Sequence, residues 1–509
     1  MFKNGNDRRD EKKDSGRGDA VTEVANILEE LAGALVMALL VIGFVVQPFI
    51  IPTGSMAETL KGAHFRFCCP QCGYRYDRDF QDRSNTVPRQ KVFAPTSRCP
   101  SCGYYYDPQE PVLVSKGDKI LAIKFLYQFA EPKRWDVVVF KNPINPAENY
   151  IKRLIGRPGE KVEIIDGDIY IDDRIARKPP KVQEEMWMVV YDGDFVPVRP
   201  NEGRFNEHNW RQPLQNYGDS NWQQADNGNS RFVLSTRSGK EHRLIYDSAI
   251  GNNFRATYAY DEVQEYDLLP SCSDLMVRFS VRFQSDSVGR LVGAGLRKYQ
   301  RYYKARVDER GRMTIARADG DREQILAEGT VDLPPAGALV PVTFANVDHL
   351  LKFTFGAEEL SCDLGASPDD AGPYRTEAEP EVEITGCGEL EVSHIAIFRD
   401  TYYLSKAYRQ GFQSGHATQG NPLQLQEDEF FVLGDNSPAS ADGRWWAKPG
   451  TGNNGKTYRA GVVPRDYLVG KAFVVFWPSG FRPFEKFPFR IVPNMREIRL
   501  VYGGSGKNP

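Results

Sequence analysis

The chain has 509 residues, of which 41% are hydrophobic and 26% charged, and a formal net charge of −3. That length accommodates about three domains, each with its own core. The balanced charge leaves no dominant basic patch for a phosphate backbone, so nucleic acid is excluded as an expected partner.

Taken in chain order, the first feature is a polar leader, Met1 to Glu30, holding Lys3, Arg8, Arg9, Lys12, Lys13 and Arg17 among nearly as many acids. It precedes LAGALVMALLVIGFVVQPFII, Leu31 to Ile51, 21 residues in which Gln47 is the one polar side chain. A helix rising about 1.5 Å per residue over that run crosses the roughly 30 Å hydrocarbon core of a bilayer. A cleaved secretory signal fits poorly, because the leader is long and no small-x-small site precedes Pro52. The expectation is an uncleaved transmembrane helix over 27–50, with residues 1–26 on the cytoplasmic side by the positive-inside rule. Ile51-Pro52-Thr53-Gly54-Ser55-Met56 follows, which puts Ser55 at the far interface as a candidate nucleophile; its bland reading is a turn residue.

Four of the eight cysteines come next, in two CPxCG knuckles: Cys69, Cys72, then Cys99, Cys102, with 26 residues between. This spacing is that of a zinc ribbon, in which four thiolates complete a tetrahedron and the glycines let backbone amides turn toward the sulfurs. Outside the cytoplasm the same pairs could oxidise to disulfides, so both states stay open. Cys68 is a spare ligand, and Cys272, Cys362 and Cys387 read as packing residues.

From here the chain reads as β-rich, in short alternating runs broken by Gly, Pro and Asp. Arg134–Phe140 and Tyr150–Gly156 predict strands, the second carrying Lys152. Asp166-Gly167 between alternating runs predicts a tight hairpin turn with positive φ at both residues. Residues 181–404 form an inserted region whose alternation, as in Leu275–Phe283 and Glu391–Asp400, predicts a β-sandwich. Last, Phe430–Leu433 delivers the polar turn Gly434–Arg444.

Four segments, IPTGSMAETL at 51–60, RWDVVVF at 134–140, YIKRLIGRPGE at 150–160 and GDNSPASADGR at 434–444, together resemble the bacterial type I signal peptidases, membrane-anchored Ser/Lys proteases that remove signal peptides from exported proteins. VGKAFVVFWP at 469–478 looks like the strand that closes their catalytic domain, and the resemblance covers roughly half the chain. It implies that Ser55 is the nucleophile and Lys152 the general base, with the Ser440 hydroxyl orienting the neutral amine. It implies an oxyanion hole of the Ser55 backbone N–H and the Thr53 hydroxyl, supporting roles for Asp435 and Asn436, and a structural ion pair between Asp442 and Arg444. Two departures stand out: Glu58 where proline is usual, and Gly443 where serine is usual. No cofactor is implied for catalysis. The implied partners are signal peptides of exported preproteins, cut after small residues, and the lipid bilayer, with the catalytic domain on the extracytoplasmic face of the cytoplasmic membrane.

The chemistry demands much of Lys152. A lysine with a reference pKa of about 10.4 needs a depression of roughly 3 units, or about 4 kcal/mol, to be neutral near pH 7, and burial is the available means. Arg153 should face the other way on the strand. A Ser/His/Asp triad is the competing chemistry, but none of the six histidines (64, 208, 242, 349, 394, 416) falls in a matched segment and no GxSxG surrounds Ser55.

The insert resembles concanavalin-type jelly rolls of laminin-G-like and lectin-like modules, for which a glycan or protein ligand and a plain spacer are both open readings. The expected fold is therefore mainly β: a signal-peptidase-type β catalytic domain (107–180 and 405–500, with the serine segment 51–66) on one N-terminal transmembrane helix, interrupted by a small zinc ribbon (67–106) and the jelly-roll β-sandwich, and ending in a tail at 501–509. Replacing Lys181–Tyr403 with a short linker is expected to leave Ser55 and Lys152 assembled, since the insert reads as a module. A membrane-tethered binding protein with an inactive protease frame is the rival class, and the joint presence of Ser55, Lys152, Thr53 and Ser440 counts against it. A self-cleaving Ser/Lys repressor shares the dyad, but the apolar span and the lack of an evident DNA-binding helical domain oppose it.

Overall fold

Strands of five to eleven residues dominate, as the short alternating runs predict. The computed structural model describes residues 11–40, 43, 45–80, 90–205, 209–225, 231–236, 239–261, 269–285, 289–320, 322–365, 379–407, 413–451, 455, 457–478 and 494–504.

A 30-residue helix, Glu11–Leu40, begins the described chain, and its apolar side chains from Val24 to Met37 are exposed. The expected span over 27–50 needs correction at its end. Val46–Ile50 is a strand, paired antiparallel with Lys119–Lys124. Pro48 explains this: it lacks the N–H a helix interior needs and is tolerated on an edge strand, which Val46–Ile50 is. Residues 41, 42 and 44 of the apolar run lie outside the described residues, as does His208. Among the described residues no helix is long and apolar enough to cross a membrane.

The central sheet runs in the order Val46–Ile50, Lys119–Lys124, Leu468–Trp477, Val137–Lys141, Asn149–Gly156, Glu429–Leu433, Val463–Pro464. Alternation along Val137–Phe140 sends Val137 and Val139 into one core with Ile51, Met56 and Leu60, while Val138 and Phe140 join Leu154, Phe430 and Val432 in another. Burying each such side chain contributes about 1.5–3 kcal/mol, so the serine segment is anchored to the frame by Ile51, Met56 and Leu60. A second small sheet contains the hairpin of Lys161–Ile165 and Asp168–Ile171, whose turn has φ 51° at Asp166 and 86° at Gly167, as the Asp-Gly pair predicts.

The insert is a sandwich of an eight-stranded and a seven-stranded sheet sharing one core. Leu275–Phe283 alternates buried positions with half-buried or exposed ones, as read from the sequence. Its opening strand Met188–Asp192 pairs with its closing strand Glu389–Arg399, so the two ends leave the frame side by side. The cysteine knuckles lie between frame and sandwich: Val198 N–H donates to the Gln71 carbonyl, and the Asn252 side chain to the Pro100 carbonyl.

Candidate active site

Asn149–Gly156 pairs with Val137–Lys141 at residues 149–153 and with Glu429–Leu433 at Arg153, Leu154 and Gly156. Lys152, on this strand, is buried, and its Nζ lies 2.7 Å from Ser55 Oγ and 3.0 Å from the Ile151 carbonyl. Burial pushes the Lys152 ammonium from its ordinary value of 10.5 down to about 8, against the opposing pull of Asp442 and Asp435. Ser55 is also buried, in a loop closed by Ala57 N–H to the Gly54 carbonyl (3.0 Å) and Leu60 N–H to the Met56 carbonyl (2.7 Å). Thr53 is exposed two residues before the serine. Glu58 is accommodated in the loop with its side chain 3.3 Å from Lys61 Nζ.

The turn after Leu433 meets this loop. Asn436 N–H donates to the Ser55 carbonyl (3.1 Å), and Gly434 sits so close that a methyl group there would overlap the Ser440 hydroxyl and the Ser55 carbonyl. Asp442 accepts from Gly434 N–H (3.0 Å) and pairs with Arg444 through both carboxylate oxygens (2.9 and 2.7 Å), both side chains fully buried. Arg444 also donates to the Ser437 hydroxyl (2.7 Å) and the Leu404 carbonyl (2.9 Å), which ties the turn to the segment returning from the insert. Arg153 turns away from Lys152 as alternation requires and pairs with Asp435. Ser440 is the departure: its buried hydroxyl has no hydrogen-bond partner, so the expected contact with the Lys152 amine is not formed.

Residues that sequence reasoning missed come from the insert. The Tyr258 hydroxyl donates to the Asp435 carbonyl (3.0 Å), Asp261 Oδ1 accepts from the Asn436 amide (2.8 Å), and the Tyr260 ring fills the space beside Gly54. Tyr258, Tyr260 and Ala57 share a small core. These contacts join the insert to the serine loop, which counts against the expectation that a linker could replace Lys181–Tyr403 without disturbing Ser55. The cluster Tyr258-Ala259-Tyr260-Asp261 was the one available signal, aromatics followed by an acid in an otherwise polar stretch. His64, the histidine nearest Ser55 in sequence, is fully buried and bound to the Gly62 carbonyl (2.7 Å), a packing residue.

The sulfurs of Cys69, Cys72, Cys99 and Cys102 all lie within 4.8 Å of one another. Cys69 to Cys102 is 3.7 Å and Cys72 to Cys99 is 3.6 Å, and none of the four is in a disulfide. A tetrahedron with zinc–sulfur bonds of about 2.3 Å has edges of about 3.8 Å, whereas a disulfide brings sulfurs to about 2.05 Å. The two knuckles are matched: Gly73 N–H reaches the Cys69 carbonyl and Gly103 N–H the Cys99 carbonyl. The donor set and its spacing fit one zinc ion.

The family model described as signal peptidase, peptidase S26, matches residues 110–207 and 390–477, segments that contain Lys152 and the Gly434–Arg444 turn. In these segments the chain is similar to a serine peptidase of the signal-peptidase class. Among curated proteins it is 32% identical over 148 residues to signal peptidase I of Rickettsia canadensis (strain McKiel), covering 29% of this chain and 42% of that protein. It is 33% identical over 140 residues to signal peptidase I of Rickettsia massiliae (strain Mtu5), covering 27% and 39%. The chain thus spans about two fifths of the length of these relatives. Among solved structures it is similar to the carbohydrate binding module CBM66 from Bacillus subtilis, at 8% identity over 36% of this chain and 95% of that one, but a TM-score of 0.25 is too low to carry fold or function.

Proposed function

We propose that this chain is a signal peptidase I, a membrane-bound serine endopeptidase that removes N-terminal signal peptides from exported preproteins. The observation that carries this reading is the 2.7 Å contact between Ser55 Oγ and a buried Lys152 amine whose pKa is lowered toward neutrality. Neutral Lys152 takes the Ser55 proton as Oγ bonds to the scissile carbonyl carbon. The oxyanion is held by the Ser55 backbone N–H and the Thr53 hydroxyl. The ammonium then returns its proton to the leaving amine, and a water activated by the same lysine hydrolyses the ester. Asp435, Asn436, Asp442 and Arg444 hold the surrounding turn, and a shift of Ser440 within its pocket would let its unpartnered hydroxyl meet the amine.

Strand Asn149–Gly156 is paired on one side only along Asn149–Lys152 among the described residues, an edge suited to an added substrate strand with small residues at the first and third positions before the cut. The exposed apolar face between Val24 and Met37 supports a bilayer anchor, in the bacterial cytoplasmic membrane with the catalytic frame outside. Cys69, Cys72, Cys99 and Cys102 hold one structural zinc, which has no part in the chemistry. The outer surface of the sandwich is left for a glycan or protein ligand. Incubating the detergent-solubilised chain with a preprotein and sequencing the new N-terminus tests the reading: a single cut after a small-x-small motif is expected, and no cut or scattered cuts would overturn it.

A further inference from the structure

The Asn436 side chain is fully buried and bridges Gly54 of the serine loop and Asp261 of the insert, which lies 175 residues before it in the chain. Its amide nitrogen donates to Asp261 Oδ1 (2.8 Å) and to the Gly54 carbonyl (3.3 Å), while its backbone N–H donates to the Ser55 carbonyl (3.1 Å). A carboxylate can only accept, so Asp261 dictates which end of the Asn436 amide faces it; the reversed amide would set oxygen against both Asp261 and the Gly54 carbonyl. The same segment braces the loop from below: the Tyr260 carbonyl accepts from Asp79 N–H (2.8 Å) and from the Arg78 guanidinium (3.0 Å), and its ring occupies the space a side chain at position 54 would need.

We propose that Asp261 of the inserted sandwich is a positioning residue of the Ser55 site, acting through Asn436 to fix the Gly54–Ser55 backbone; this rests on Ser55 being the nucleophile. The insert thereby supplies part of the active-site architecture. The Gly54 carbonyl shares its peptide unit with the Ser55 N–H, and the Ser55 carbonyl belongs to the next unit, so a loose amide lets both the hydroxyl and the oxyanion donor drift from the Lys152 amine. A displacement of about 1 Å in such a group costs on the order of 100-fold in rate.

The test compares full-length Asp261→Ala and Asp261→Asn with the parent on one preprotein, alongside Val281→Ala in the sandwich core as a stability-matched control and Ser55→Ala. For Asp261→Ala, kcat is expected to fall at least about tenfold with KM within about twofold and with the folded fraction, read by thermal melting, unchanged at the assay temperature. Asp261→Asn, which keeps an acceptor oxygen but no longer dictates the amide, should recover part of kcat, and Val281→Ala should keep it. Parent-like kcat in Asp261→Ala, or a loss matching only its unfolded fraction, would overturn the proposal. Activity surviving in Ser55→Ala would instead remove the nucleophile assignment, a failure distinguishable from that of Asp261.

Discussion

Arg153 and Asp435 form a doubly hydrogen-bonded ion pair, at 2.8 and 2.6 Å, with both side chains out of water. The pair locks the strand that carries Lys152 to the turn that carries Ser440. Arg153 also donates to the Trp135 carbonyl (2.9 Å), so one guanidinium joins three segments of the frame. Removing one partner leaves an uncompensated buried charge, which destabilises by about 3–5 kcal/mol. Asp435→Asn should lower the urea-unfolding free energy by that amount, and Arg153→Met with Asp435→Leu should regain most of it. Equal stability of the parent and Asp435→Asn would show that the pair contributes little.

A second expectation concerns Gly434. With the Ser55 carbonyl and the Ser440 hydroxyl both against its Cα, Gly434→Ala must push the serine loop away from Lys152. A loss of about 100-fold in kcat/KM is expected. Adding Ser440→Ala should not restore it, because the Ser55 carbonyl remains in the way. Full recovery in the double variant would mean that the loop is not displaced.

The pH dependence follows from the lowered pKa of Lys152. The rate needs the neutral amine, so kcat/KM should rise with pH through an acid limb near 8. The stability effect has a definite sign. The folded pKa lies below the unfolded value of 10.5, so between 8 and 10.5 the unfolded chain binds the extra proton and stability rises with pH. Below 8 the buried charge costs about 3 kcal/mol, a penalty absent from Lys152→Met. That variant should therefore be more stable than the parent at pH 7, with the gap closing as pH approaches 10.5. A constant gap across that range would mean that Lys152 is not desolvated.

The metal prediction is analytical. Protein prepared without chelator should carry about one zinc per chain with four sulfur ligands, and Cys99→Ser should lower both zinc content and melting temperature. Two disulfides and no metal would replace this centre by a covalent one.

What the sequence disclosed follows from how local each signal is. The Asp166-Gly167 turn and the alternation in Leu275–Phe283 are set by neighbours in the chain and took their expected form, and the paired CPxCG knuckles bring their four sulfurs together. Ser55 and Lys152 are 97 residues apart, and their meeting was legible only through the ordered motifs. The helix ends earlier than the apolar run because apolar residues suit a helix and an edge strand alike, and Pro48 favours the strand. Beyond that aromatic–acid cluster, nothing local assigns Tyr258, Tyr260 and Asp261 to the site. Their roles depend on the insert folding back across the serine loop, and a tertiary contact of that kind leaves no period or motif in the chain.

The central claim is that Ser55 and Lys152 act as one nucleophile–base unit. The most direct measurement is preprotein cleavage by purified full-length Ser55→Ala, Lys152→Ala and the double variant, each shown to be folded by its melting curve. Residues acting as a unit are non-additive, so each single variant is predicted to lose several orders of magnitude and the double variant to lose no more than either. Cleavage near the parent rate by either folded single variant would contradict the dyad.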